Sequence, residues 1–239
     1  MSEPTVTVLV CTFNDERTIA YALGSALAQT APPSSYRVLV VDDGSTDATA
    51  RILDRFRDRA EIVHLPANVG LTAACNAGLE RIRTPSFVRL DGDDRFEPEL
   101  IAALLATRAS SKAEIVVTDR FEQSMTGRLR RFELGDRPRI SQLIAAGALL
   151  PTDAVRSLGG YRNLFWEEFD LYMRLLGGGT RTIAHIARPL YVYRVERPDQ
   201  MTADDEAVRL GWQELRELWP PEALAPHALM SDGVPGRAG

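Results

Sequence analysis

Short apolar runs alternate with amphipathic stretches through the first half of the chain. Residues 5–11 form a β-branched run that is apolar on both faces, the pattern of a buried parallel strand. Asn14 or Asp15 can then cap a helix whose apolar positions Ile19, Leu23, Ala26 and Leu27 follow helical spacing, and Pro32-Pro33 stops it. The same alternation predicts strands at 37–41, 62–65, 87–90 and 114–118. Helices fall between them: one marked by Ile52, Leu53 and Phe56, one over 70–82, and one from Pro98 to Thr107. Four βα repeats in series predict a parallel, doubly wound α/β sheet.

After Asp119 the pattern changes. Gly127 centres a predicted hairpin over 121–132, Ser141 is placed to cap a short helix, and 168–176 reads as helix before Gly177-Gly178-Gly179. Residues 190–194 predict a strand. Thr202 with Asp205 three positions on has the spacing of a capping box for a helix reaching Trp219, which would bury Val208, Trp212, Leu215 and Trp219 on one side. From Pro220 to 239 the density of Pro and Gly predicts a frayed tail. The chain thus divides into 1–119, 120–219 and the tail 220–239, the first two as halves of one domain.

Composition narrows the function classes. The 239 residues carry a net charge of −5, without the basic stripe of a nucleic-acid binder. Lys112 is the single lysine among 28 basic residues, which excludes mechanisms needing a Schiff-base or phosphate-loop lysine elsewhere. Two cysteines, Cys11 and Cys75, support neither a disulfide scaffold nor a zinc cluster. No apolar run approaches the roughly 18 residues of a membrane span, and the first residues lack a leader pattern, so a cytoplasmic location is expected.

In open parallel sheets ligands bind beyond the carboxyl ends of the strands. The predicted loops there read Thr12-Phe13-Asn14-Asp15-Glu16, Asp42-Asp43-Gly44-Ser45-Thr46-Asp47 and Asp91-Gly92-Asp93-Asp94. Asp-Gly pairs are also ordinary turn formers. Crowded carboxylates at one edge nevertheless cost energy unless a cation or hydrogen-bond donors offset them. A hard divalent ion, Mn²⁺ or Mg²⁺, held by one or two carboxylates and completed by phosphate oxygens, meets that requirement.

These segments resemble the family 2 glycosyltransferases. The likeness rests on Val8-Leu9-Val10-Cys11-Thr12-Phe13-Asn14, on Val40-Val41-Asp42-Asp43-Gly44-Ser45-Thr46-Asp47 and on Asn68-Val69-Gly70 with Ala74-Cys75-Asn76-Ala77-Gly78. It continues through Leu90-Asp91-Gly92-Asp93-Asp94. A weaker likeness runs from Gly159-Gly160-Tyr161 through Glu167-Glu168-Phe169-Asp170-Leu171 to Tyr193-Arg194 and Met201-Thr202. The resemblance implies a GT-A-type, Rossmann-like, doubly wound and mostly parallel sheet with a smaller acceptor-side region. It implies an inverting, metal-dependent transfer from a nucleotide-sugar, a uridine diphosphate sugar foremost, to an acceptor hydroxyl. On it, residues 1–119 bind the nucleotide-sugar and 120–219 bind the acceptor and supply catalysis.

The resemblance also assigns roles. Thr12, Asn14 and Asp43, with Asp42 nearby, would hold base and ribose; Asp91 would contact the ribose or the metal-bound diphosphate; Asp93 would be the protein ligand of Mn²⁺ or Mg²⁺. The family's acidic pair is Glu167-Glu168 here, with Glu168 in the base position, where family members usually carry Asp. Glu reaches one methylene further, which leaves Asp170 or Glu167 open as substitutes. Arg194 would meet the diphosphate with its forked donors. Two positions on, where the family often has His, stands Glu196. Phe165, Trp166 and Tyr161 suit either acceptor stacking or the core. The acceptor, whether a sugar, a small molecule or a lipid-linked glycan met by peripheral membrane contact, is not written in these motifs.

Other readings meet specific obstacles. A receiver-like acidic pocket would need its acidic pair after the first strand and a lysine after the fifth. A nucleotidyltransferase would need a Gly-, Arg- and Lys-bearing loop after strand one. A non-catalytic descendant that binds nucleotide-sugar or glycan is the remaining alternative.

Overall fold

The computed structural model describes residues 3–136, 138–177, 179, 181–195 and 201–227. Its first four long strands are β1 (Val6–Thr12), β2 (Tyr36–Asp42), β3 (Glu61–His64) and β4 (Ser86–Asp91), joined by α1 (Ile19–Leu27), α2 (Thr49–Leu53) and α3 (Leu71–Arg81). They pair in parallel in the order β3-β2-β1-β4. Then follow β5 (Arg95–Phe96), α4 (Leu100–Ser111), β6 (Ile115–Gln123) and β7 (Leu129–Phe132). The chain continues with β8 (Leu149–Pro151), α5 (Thr152–Ser157), α6 (Glu167–Leu176), β9 (Ile183–Arg194), α7 (Asp205–Leu218) and α8 (Pro221–Leu224).

Alternation along β1 explains the layering. Leu9 and Cys11 face a core shared with Cys75 and Leu79 of α3, Phe169 and Tyr172 of α6, and Trp212 of α7. Val6, Val8 and Val10 face the opposite core, with Ile19 and Leu23 of α1, Leu53 of α2 and Leu100 of α4. Helices therefore cover both faces, as buried two-sided apolar strands demand.

The sheet departs from an all-parallel one beyond β4. β8 inserts antiparallel between β4 and β6, β6 runs parallel to β9, and β5 closes the far edge antiparallel to β9. The strands predicted at 114–118 and 190–194 belong to the longer β6 and β9, which are shifted in register at Asp119. That shift fits the buried Asp119 carboxylate, which takes hydrogen bonds from Leu134 N and Arg131 and lies 2.8 Å from His185 Nε2. The hairpin stands as predicted, with Gly127 in the left-handed region at the β6–β7 turn.

Three helix starts differ from their predicted caps. Asn14 and Asp15 do not cap α1, whose N-cap is Thr18, because both side chains are engaged in the loop itself. Ser141 sits inside a single 3₁₀ turn, Ile140–Gln142, that begins at Arg139. The cap of α7 is Asp204, accepting from Glu206 N and Ala207 N, while Thr202 lies in the preceding turn. The chain past Pro220 is not simply frayed: α8 buries Leu224 completely against the core. No helix among the described residues is long and apolar enough to cross a membrane.

Candidate active site

The carboxyl ends of β1 and β4 and the start of α6 open onto one cleft of about 680 Å³. Thr12, Asn14, Asp43, Asp91, Asp93 and Glu168 all line it, so six of the predicted site residues share a cavity. Asp93 and Glu168, expected to act from opposite sides of the bond being broken, are among them.

The nucleotide end is built by loops that hold each other. Asn14 adopts the left-handed backbone (φ 55°), tolerated by Asn more than by most residues. Its Oδ1 accepts from Thr46 N at 2.8 Å and Asp47 N at 3.3 Å, fastening the β1 loop to the β2 loop. The buried Asp43 carboxylate accepts from Val69 N at 2.8 Å and Gly70 N at 2.9 Å. Thr12 donates to Asp15 Oδ2 at 2.7 Å. Gly92 lies so close to this pair that a Cβ there would meet the Thr12 hydroxyl at 2.6 Å. A side chain at 92 would push the β1 and β4 loops apart.

Asp42 is different. It is buried, does not line the cleft, and accepts from Ser45 N while His64 Nδ1 lies 2.8 Å from Oδ2. Its predicted direct contact with the nucleotide gives way to a loop-ordering role.

The β4 terminus concentrates charge. Asp91 meets Arg89 through Nε (2.9 Å) and Nη2 (3.2 Å), and Arg89 Nη1 reaches Glu167 Oε1 at 3.2 Å. The buried Asp94 accepts from Tyr191 Oη at 2.6 Å and Arg194 N at 2.8 Å. Burial, then the neighbouring Asp93 and Asp91, push its carboxyl well above the usual range. Arg194 meets this end through its backbone N–H, and its side chain is not among the groups lining the cleft.

At the start of α6, Glu168 Oε2 accepts from Ala145 N at 2.9 Å. Burial first, and Glu167 beside it second, push its pKa up to about 7. A carboxyl held there can accept a proton near neutral pH.

Asp170 is corrected. Two positions past Glu168 on a helix, it points away from the cleft into full burial. There it accepts from Arg174 Nε at 2.7 Å, Arg162 Nη1 at 3.2 Å and Trp219 Nε1 at 3.1 Å, tying α6 to the end of α7. Of the aromatics before the acid pair, Tyr161 and Trp166 are buried, and Trp166 stacks on Phe169 with ring centroids 5.2 Å apart. Phe165 and Trp166 also reach the cleft wall. Glu196 lies outside the described residues.

The sequence reading missed Arg89. Its signal was present: a charged residue inside an apolar strand, two positions before Asp91 and therefore on the same face.

A mostly parallel sheet with helices on both faces and an aspartate-rich cleft past its strand ends is a GT-A fold, and solved GT-A structures superpose on it. TarS of Staphylococcus aureus bound to UDP-GlcNAc matches with a TM-score of 0.73 at 20% identity, covering 89% of this chain and 66% of that one. The mannosyltransferase PcManGT of Pyrobaculum calidifontis, bound to GDP-Man and Mn²⁺, matches with a TM-score of 0.69 at 18% identity, over 95% and 68%. The chain matches the glycosyl transferase family 2 model over residues 7–165 and belongs to that family. It is 34% identical over 142 residues to the succinoglycan biosynthesis protein ExoO of Rhizobium meliloti, across 59% of this chain and 40% of ExoO. With ExoU of the same organism it shares 30% identity over 203 residues, across 74% of this chain and 58% of ExoU. The chain therefore spans only part of the length of these relatives.

Proposed function

We propose that this chain transfers a sugar from a nucleoside-diphosphate sugar to an acceptor hydroxyl, inverting the anomeric carbon, with Glu168 as general base. The observation that carries the reading is the shared cleft: Asp91 and Asp93 of the β4 end and Glu168, a carboxyl with a pKa of about 7, line one cavity. Family membership and the UDP-GlcNAc and GDP-Man complexes of the same fold support the donor class. A uridine diphosphate sugar is the first donor to test.

The donor set fits a hard divalent ion. Every candidate ligand at this end is a carboxylate, and no group of three or more His, Cys, Asp or Glu that could hold a metal occurs among the described residues. A site offering one or two carboxylates suits Mg²⁺ or Mn²⁺ when phosphate oxygens complete the shell, and Asp93 would be the protein ligand. When bound, such an ion supplies charge neutralisation for the departing diphosphate.

The residues divide the remaining work. Thr12, Asn14 and Asp43 seat the nucleoside in prearranged loops. Asp91, held by Arg89, faces the ribose and diphosphate. Glu168 takes the proton from the acceptor hydroxyl as its oxygen attacks the anomeric carbon from the face opposite the leaving group, so one displacement inverts the configuration. Phe165, Trp166 and Tyr193 wall the acceptor side. Residues 1–119 thus serve the donor and 120–219 the acceptor. A lipid-linked glycan, a soluble sugar and a small metabolite all present the hydroxyl this chemistry needs.

The test is a panel of nucleotide-sugars with Mn²⁺, read as release of nucleoside diphosphate. The reading expects release with at least one donor, lost in Glu168→Gln. Release equal in wild type and Glu168→Gln removes Glu168 as base. Absence of release across the panel, with nucleotide still bound, favours a binding protein without transfer.

A further inference from the structure

Arg89 holds Asp91 on the donor side, and the same guanidinium also reaches the acid pair of α6. It is 3% exposed, on a strand otherwise built of Ser86, Phe87, Val88 and Leu90. Enclosing an arginine so fully is costly unless its donors are matched. Its charge is offset by acids from two separate elements, Asp91 at the end of its own strand and Glu167 at the first residue of α6; Nη1 and Nη2 donate to them, while the buried Nε lies 2.9 Å from Asp91 Oδ1 without making a hydrogen bond. It also lies 5.8 Å from the centre of the Tyr161 ring. The backbone repeats the link, because Gly147 N donates to Arg89 O at 2.8 Å, and Ala145, two residues earlier, donates to Glu168.

We propose that Arg89 is a positioning residue for the transfer: it clamps the acid pair of α6 to the Asp91 end of β4 and supplies the one positive charge that Glu168 feels at close range from the donor side. The proposal rests on Glu168 acting as base. It gives the reaction a mechanical and an electrostatic coupling between donor end and acceptor end. One planar cation spans both, which a lysine, a point charge on a flexible stem, cannot do.

The groups facing Glu168 set the sign of the effect. From α6 come Glu167 and Tyr172, from β4 come Arg89 and Asp91, and from β6 comes Arg120. Glu167 and Asp91 oppose ionisation of Glu168, whereas Arg89 favours it. Removing Arg89 leaves three buried or half-buried carboxyls without their shared cation, so Glu168 must hold its proton more tightly. Removing Glu167 does the reverse.

The titration reads the proton directly and needs no known substrate; the kinetic comparisons use the donor found in the nucleotide-sugar panel. The protein is labelled at the glutamate side-chain carboxyl carbon, the Glu168 resonance is assigned by its loss in Glu168→Gln, and the signal is titrated by NMR. In Arg89→Met the midpoint is expected to rise by about one unit or more, and in Glu167→Gln to fall by a comparable amount. Arg89→Lys is expected to keep the midpoint within about half a unit while the KM for the donor rises, since charge is retained and the fork is lost. If Arg89→Met does not fold, the double variant Arg89→Met with Glu167→Gln, which removes the charge on both sides of the pair, is titrated against Glu167→Gln alone and carries the same expected rise. A Glu168 midpoint that stays fixed in a folded Arg89 variant overturns the proposal. Loss of transfer in Glu168→Gln with that fixed midpoint would sink the Arg89 role alone, whereas transfer surviving Glu168→Gln would sink the base assignment beneath it.

Discussion

The β2 loop and the start of α6 hold their carboxylates by different means. In the β2 loop, acids accept from backbone N–H groups: Asp43 from Val69 and Gly70, and Asp42 from Ser45. At the start of α6, Glu167 pairs with the buried Arg89, which also holds Asp91, and Glu168 accepts an N–H from Ala145. Amide donors fix the carboxylates and the loops that carry them. Sparse donors and deep burial instead leave Glu168 poised to change protonation.

Neutralising Glu168 should break the comparison most severely. Glu168→Gln is expected to lower the transfer rate by about 10²–10⁴-fold, as for loss of a general base, with nucleotide affinity retained. The same variant carries a stability signature. An unfolded glutamate loses its proton near its ordinary 4.5, whereas folded Glu168 keeps it to about 7. The folded state therefore binds the extra proton between these values, and stability from this group is present at low pH and lost as pH rises through about 7. Glu168→Gln should melt higher than wild type at about pH 8, by on the order of 2 kcal/mol, and nearly equal to it at about pH 4.5. The wild-type rate should rise with pH through the same region, because the ionised form is the base.

Asp170 sharpens the contrast from inside one helix. Asp170→Asn should destabilise the fold by about 3 kcal/mol, because it leaves Arg174 and Arg162 without their buried counter-charge. Urea denaturation checks this, and transfer per folded molecule should change by only a few-fold. A larger loss of rate would return Asp170 to the reaction. The smallest effect is expected at the β1 loop, where Asn14→Ala removes three loop hydrogen bonds and strains a left-handed residue. Stability should fall by about 1–2 kcal/mol and UDP affinity by roughly tenfold, readable by calorimetry.

The same division explains what was legible in the sequence. The nucleotide half is made largely of local signals: two-sided apolar strands, loops of Asp, Gly and Asn, and βα repeats. Its strands β1 to β4 were read to within a few residues, whereas the two-residue β5, which pairs with the distant β9, was not read at all. The second half depends on distant pairings. Nothing local announces that β8 inserts between β4 and β6, or that β6 and β9 extend past a shift at Asp119. Asp170 looked equivalent to Glu168 because both sit in one acidic helix start. Only the helical turn between them, and arginines at 162 and 174, separate a cleft carboxyl from a buried strut. Leu224 was hidden among prolines for the same reason: its burial is set by the body it docks on.

The account stands on the separation of roles between Asp93 and Glu168 within one cleft. Calorimetric titration of UDP and of GDP, each with and without Mn²⁺, into wild type, Asp93→Ala and Glu168→Gln tests it most directly. Manganese is expected to tighten binding of at least one nucleotide in wild type and in Glu168→Gln, and to have no effect in Asp93→Ala. Manganese-dependent binding that survives in Asp93→Ala, or disappears in Glu168→Gln, contradicts the account.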